Sequence, residues 1–382
     1  MKKKLYVGLI KFILVVVVLV VIYHVIDWQD SYSVTATDSE IQGKVNGKIL
    51  GAWNVDPVLF LTDGENEPTE ISRSSGKSIT PGIFTYLRNM DKFLFGLGAL
   101  AFLFFVIILN SRWWWLMRAN RLGVGFLEAQ RFGWIGAFCS NVAPGSVGGD
   151  LIKAVYIVKR CSGDRVRAVV SIVVDRITGL LSLLFVCSIA SLVIFPSKPM
   201  FAWTVWACAL GIFVVGILLL SPGLRSLVRF ERLISQLPEK LGKIVTELDD
   251  AVLQYRDNLK GVGLWVLASP LYYSLLVGSL ILMGKALGVG LPWDNYFFVV
   301  PLASVAQAIP MMPGGFGIGE VAYGALIGEL GAETLPGVPD AEQIMRTRGV
   351  ALSVVHRVHV VVWSLFGGLL MLWDRRLNRE KP

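Results

Sequence analysis

Apolar runs close to the length that a helix needs to cross a hydrocarbon core recur along this chain of 382 residues, at roughly 6–26, 92–110, 169–194, 201–221, 263–287 and 350–373. A bilayer core is about 30 Å thick, and a helix rises about 1.5 Å per residue, so about 20 apolar residues span it. Lipid cannot satisfy backbone N–H and C=O groups, so spans of this kind must be helices, which satisfy those groups internally. Composition agrees: 54% of the residues are hydrophobic and only 17% charged, where a soluble domain carries about a quarter charged. The pattern predicts a polytopic, all-α membrane protein with six spans.

The first run follows Lys2, Lys3, Lys4 and Lys11. No small-residue cleavage site comes after it, so residues 1–26 read as an uncleaved N-terminal span rather than a signal peptide. The four cysteines, Cys139, Cys161, Cys187 and Cys208, lack the paired spacing of a disulfide framework or a zinc site. The net charge of +8 fits topology better than a nucleic-acid footprint, because Lys and Arg collect on cytoplasmic loops.

That bias sets an orientation. Lys2 to Lys4 put the N-terminus inside, and residues 27–90, where acids outnumber bases, fall outside. In "SRWWWLMRANR", Trp113, Trp114 and Trp115 are expected at an interface, with Arg112, Arg118 and Arg121 facing the cytoplasm. Residues 150–167 carry Lys153, Lys159, Arg160, Arg165 and Arg167 and are expected inside, as is the tail 374–382. Residues 222–262 read as an amphipathic cytoplasmic helix pair. The expected location is the cell (inner or plasma) membrane with both termini cytoplasmic, residues 91–373 forming the main membrane domain.

This orientation leaves two apolar pieces over. Residues 132–149 begin and end inside, and residues 294–330 begin and end outside. The first makes only about 27 Å of helix, too short for two crossings. Re-entrant hairpins satisfy both constraints. Their breakers are Pro144, Gly145, Gly148 and Gly149 in one, and Pro310, Pro313, Gly314, Gly315, Gly317 and Gly319 in the other. Broken backbone at membrane depth needs protein or a wet cavity around it. In the outer insert, Asn46-Gly47 between alternating residues signals a hairpin, and Asp63-Gly64 a second turn, which predicts a small β-rich cap; the alternative is a partly disordered loop.

The hairpin tips resemble each other. "PGSVGGD" (144–150) and "PGGFGIGE" (313–320) each combine a Pro-Gly break, a Gly-rich turn and one acid. Span, hairpin, span thus occurs twice in opposite orientation, an inverted repeat of the kind transporters use, with a site at the repeat interface. Ionisable residues enter the same zone: Asp175-Arg176 lies about 12 Å past Arg167, and His356-Arg357 as far past Arg348. A charge in the membrane costs about 2.5–3.5 kcal/mol on insertion scales. Adjacent helical residues diverge and do not pair face to face, so Arg176 and Arg357 need acids elsewhere, from among Asp150, Asp175 and Glu320. These residues admit simpler roles: interhelical ion pairs for the arginines, helix caps for Asp150 and Glu320, a cytoplasmic anchor for Lys153, close packing for Gly148 and Gly319. His356 and His359 supply too few ligands for a metal, and no cofactor is expected. The functional reading makes the two tips, the arginines, Lys153 and His356 an anion site, because helix N-termini suit phosphate.

At "APGSVGGDLIKAVYIVKR", "VVSIVVDRITGL" and "IPMMPGGFGIGEVAYGAL" the sequence resembles the lysylphosphatidylglycerol synthase transmembrane region, also called the flippase-like domain family. In that family the first motif looks like Pro-Gly-x-x-Gly-(Gly/Asp)-x-x-(Arg/Lys), the second an acid-Arg pair, and the third a Pro-Gly-Gly-x-Gly-x-x-Glu tip. The resemblance covers roughly 92–373. It implies an integral membrane protein that moves a phosphate-bearing lipid, such as an aminoacylated phospholipid or a lipid-linked saccharide, between leaflets. Lysyl-transferring members add a soluble catalytic domain after the membrane part; this chain is not expected to make the modified lipid itself. The large insert 27–90 is a candidate docking surface for a protein partner. Two other readings stand beside this one. One is an enzyme using a polyprenyl-phosphate donor with Asp27, Asp30 or Asp63 as base or metal ligand; the other is a non-transporting docking protein. With no ATP-binding loop in the sequence, drive is expected from ion coupling or the lipid gradient.

Overall fold

The computed structural model describes residues 28–35, 41–53, 55–72, 77–141, 147–194, 199–220, 255, 258–307, 318–336 and 341–373. The expected span 6–26, most of the expected helix pair at 222–262 and the tail 374–382 lie outside the described residues.

Among the described residues, four helical stretches are long and apolar enough to cross a membrane: Lys92–Ala119, Arg165–Leu192, Leu259–Leu287 and Ile344–Trp373. They coincide with the runs at 92–110, 169–194, 263–287 and 350–373. Local chemistry sets their ends. Helix α1 is a short lead-in, Ile83–Asn89. Helix α2, Lys92–Ala119, starts where the Asp91 carboxylate accepts from the N–H groups of Phe93 and Leu94, which satisfies donors that a helix start leaves free. Helix α5 is Arg165–Ile194, and α6, Pro199–Leu220, covers the run expected at 201–221. Ala268 interrupts the third stretch, dividing it into α7 (Leu259–Leu267) and α8 (Ser269–Leu287). Gly288, at φ +67°, closes α8 in the left-handed conformation that glycine adopts without a steric penalty. The last helix, α11, is Ala341–Trp373.

Among the described residues, two pairs of shorter helices stand between the long ones: α3 (Phe126–Ser140) with α4 (Val147–Arg160), and α9 (Tyr296–Gln307) with α10 (Ile318–Gly331). None has the length of a full crossing, since 12 to 15 residues make only about 18–23 Å of helix.

The packing follows one scheme twice. Helices α2 and α8 run antiparallel: the Asp91 N–H donates to the Ala286 carbonyl, Ser279 Oγ to the Gly98 carbonyl, and the rings of Phe105 and Tyr273 lie 5.2 Å apart. Each short pair then packs against the long helix that follows it, α4 on α5 and α10 on α11. Each pair's first arm packs on the other half's last long helix, α3 on α11 and α9 on α5. Exchanging the halves leaves this list of partners unchanged. Glycines permit the closest approaches. A Cβ at Gly349 would lie 2.5 Å from the Tyr323 carbonyl, and one at Gly367 would collide with the Trp134 carbonyl.

The insert is β-rich, as expected, with a five-stranded antiparallel sheet in the order β4-β3-β2-β1-β5. Its strands are β1 (Asp30–Thr35), β2 (Ile41–Ile49), β3 (Val58–Thr62), β4 (Thr69–Ile71) and β5 (Lys77–Thr80). The Asp63-Gly64 turn is present, with Gly64 at φ +96° and the Glu65 N–H donating to the Thr62 carbonyl. The hairpin expected at Asn46-Gly47 is not there: both residues lie inside β2, where Gly47 pairs with Asp30 on one side and Thr62 on the other. Gly47 is small because the Phe60 ring covers it; a Cβ there would sit 2.5 Å from that ring. Ile49, Val58 and Phe60 of the sheet belong to the same buried cluster as Phe105, Leu280 and Phe298 of the helices. Leu192, Trp203, Leu210, Leu264, Leu271 and Leu369 remain exposed, an apolar exterior that suits lipid.

Candidate functional site

The first short pair is zipped along its length. Arg160 meets Glu128 at its base, the tilted rings of Phe132 and Tyr156 lie 5.3 Å apart, and Gly136 faces both Lys153 and Gly149. A Cβ on Gly149 would collide with Ser140 Oγ and the Gly136 carbonyl, so the arms meet backbone to backbone. Gly149 thus has a close-packing role, and its neighbour Gly148 is buried as well. Pro144 and Gly145, and at the second tip Pro313, Gly314, Gly315 and Gly317, lie outside the described residues.

This zipper brings Asp150, in the first turn of α4, beside α5. Arg176 Nε donates to Asp150 Oδ2 at 2.5 Å. Arg176 stays 46% exposed, and Asp150 is largely covered. The second half repeats the arrangement. Glu320, in the first turn of α10, takes a two-pronged ion pair from Arg357 of α11, with Nε on Oε1 and Nη2 on Oε2 at 2.9 Å. This pair is more enclosed, at 14% and 20% exposure. Gly319 makes room for it, since a Cβ there would fall 3.1 Å from Arg357 Nη2 and 3.0 Å from Gln307. Both first turns thus already hold a carboxylate where the positive end of a helix favours one.

Asp175 does not join its neighbour's pair. It turns the other way and takes Arg112, with Nε donating to Oδ1 at 2.9 Å and Nη2 to the Asp175 backbone carbonyl at 3.3 Å. Arg112 Nη1 lies 3.4 Å from the Tyr272 hydroxyl, which donates to Ser182 Oγ at 2.9 Å. At 5% side-chain exposure Arg112 is interior, so it does not face a cytoplasmic loop as the sequence suggested. Helix α2 runs on to Ala119 and carries it inside the bundle. Trp113 is interior too, not interfacial: it is 1% exposed and donates from Nε1 to Ser171 Oγ at 3.3 Å. Lys153 lies over its ring with Nζ 5.1 Å from the centroid, half-buried rather than anchored outward.

His356 is drawn towards α2, edge-on to Phe102 at 5.2 Å, with His359 against Phe95 at 4.3 Å. Asp30, one of the acids offered as a catalytic base, is spent on structure. It is buried and accepts from the N–H groups of Ile49 (2.7 Å) and Gly82 (2.6 Å) and from Thr85 Oγ1 (2.8 Å). Asp63 sits at its exposed turn, and Asp27 lies outside the described residues.

Several apolar helices of bilayer length, carrying ion pairs at matching points of two like-packed halves, define a multi-pass membrane protein. The chain belongs to the lysylphosphatidylglycerol synthase TM region family, which it matches over residues 82–339. The match starts after the sheet and ends before α11, a narrower stretch than the resemblance at 92–373. The chain is also 25% identical over 312 residues to the UPF0104 membrane protein PH1989 of Pyrococcus horikoshii, an overlap covering 74% of this chain and 87% of that one. No solved structure matches it.

Proposed function

We propose that the protein moves a phosphate-bearing lipid between leaflets, with the two short helix pairs acting as re-entrant hairpins of an inverted repeat and both termini cytoplasmic. The observation that carries this is the setting of the Asp150–Arg176 pair. Around it, Val169, Val173 and Ile177 of α5 and Leu151 and Val155 of α4 are all exposed and apolar. On α5 these residues recur at the spacing of one helix face, which Arg176 shares. A cation opening onto a greasy face matches an amphiphile with an anionic head and a hydrocarbon tail. The headgroup phosphate takes the place of the Asp150 carboxylate on Arg176, a charge-assisted contact of the same geometry. Glu320–Arg357 serves the equivalent step from the other half. The family resemblance supports the same reading.

Arg176→Ala and Glu320→Ala test it in proteoliposomes that report lipid exchange between leaflets. Both variants, folded as judged by an unchanged elution profile, are expected to lose transport. Transport at the unsubstituted rate in both would defeat the assignment of the site.

A further inference from the structure

The two halves match in packing but differ in charge. In the second half, the Glu320 carboxylate and the Arg357 guanidinium balance one for one. In the first, Lys153 lies in the electrostatic range of Asp150, Asp175, Arg176 and Arg112, which makes three cations against two acids. Both acids are engaged, Asp150 with Arg176 and Asp175 with Arg112. The ammonium of Lys153 makes no hydrogen bond or ion pair with any described residue, and its neighbour is the Trp113 ring. A half-buried ammonium whose nearby acids are both committed to other cations is left under-compensated, and an aromatic face compensates only in part.

The seat is built. Gly136 leaves the groove in which the Lys153 stem lies, since a Cβ there would fall 2.7 Å from Lys153 Cγ and 2.8 Å from Cε. The Trp113 ring is held at its edge, where Nε1 donates to Ser171 Oγ. A compact ammonium on a flexible stem suits a phosphate oxygen as a point charge.

We propose that the lipid's anionic group is first bound in one half only, by Lys153 held on Trp113 together with the neighbouring Arg176, and that this seat is matched to a group of single negative charge such as a phosphodiester. This rests on the reading of the protein as a lipid carrier and narrows its first contact to the Lys153–Arg176 seat of one half.

Equilibrium binding to the purified full chain in detergent tests it without leaflets or transport. The probes are short-chain phosphatidylglycerol, phosphatidic acid and phosphatidylcholine, together with a short prenyl phosphosugar that carries the same phosphodiester on another tail. The unsubstituted chain is expected to bind phosphatidylglycerol or the phosphosugar at least tenfold more tightly than phosphatidylcholine, and phosphatidic acid no more tightly than the better of those two. Lys153→Gln is expected to weaken that binding tenfold or more, and Lys153→Arg to restore most of it. Arg160→Gln, two turns further along α4, is expected to leave it within twofold. Equal binding of phosphatidylcholine by the unsubstituted chain overturns the proposal whether or not any variant folds. So does a tenfold preference for phosphatidic acid, or a Lys153→Gln affinity within twofold of the original. Absent transport with Lys153-dependent binding would sink the carrier reading alone; transport with Lys153-independent binding would sink this inference alone.

Discussion

Replacing Asp175 by Asn removes the only carboxylate in contact with Arg112 among the described residues. Arg112 is 5% exposed and cannot turn to water. Breaking a buried pair from one side strands the other charge, at a cost of about 3–5 kcal/mol. Asp150→Asn makes a useful contrast, because Arg176 is 46% exposed and solvent or headgroups replace the lost partner; the expected cost is about 1 kcal/mol or less. A second substitution separates charge from packing. Arg112→Leu combined with Asp175→Asn leaves no charge to strand, and Tyr272 keeps its bond to Ser182. The double variant is therefore expected to recover much of the loss, with a coupling of about 2–3 kcal/mol between the positions. Equilibrium unfolding in mixed micelles measures all four chains side by side. Equal losses for Asp175→Asn and Asp150→Asn would refute the reasoning, as would a double variant as unstable as the sum of the singles.

Glycine substitutions should divide sharply. Gly149→Ala must separate α3 from α4 and is expected to cost about 1–3 kcal/mol, whereas Gly96→Ala, with nothing within 4 Å of the new Cβ, is expected to be neutral or to stabilise by up to about 1 kcal/mol; thermal unfolding in detergent distinguishes them. Asp30→Ala leaves three donors without their acceptor and is expected to make the insert cleavable by protease at concentrations the unsubstituted chain resists, with cleavage mapped to 28–90. Cys161, in the turn after α4, has its thiol pushed above the usual range chiefly by burial, with Arg160 opposing. A raised value means less thiolate at a given pH, so in a chain where it is the sole cysteine, its maleimide labelling at pH 7 is expected to be slower than that of a free cysteine and to climb through higher pH than a free cysteine's does. Labelling as fast as the free thiol would contradict that environment.

The charges that matter were visible in the sequence, but their partners were not. Asp150, Asp175 and Glu320 stood out as the available acids because charge is scarce in apolar runs. Which acid meets which arginine depends on how α4 and α10 are rotated against α5 and α11, and one-dimensional spacing does not set that rotation. Arg112 was misplaced for a simpler reason. The apolar run seemed to end near 110, while the helix continues to Ala119, so the Arg112 side chain stays with Gly98 and Phe105 on the buried face. The step of seven from residue 98 to 105 to 112 is the signal that could have shown it. Asn46-Gly47 misled because a glycine placed for a ring above it looks the same in sequence as a glycine placed for a turn.

The most direct test is a density map of the full chain in lipid nanodiscs. Headgroup density is expected within about 3 Å of Arg176, with tail density along Val169, Val173 and Ile177. A map in which lipid follows only the outer helix surfaces, with Asp150 closed on Arg176 in every particle class, would contradict a lipid-carrying site there.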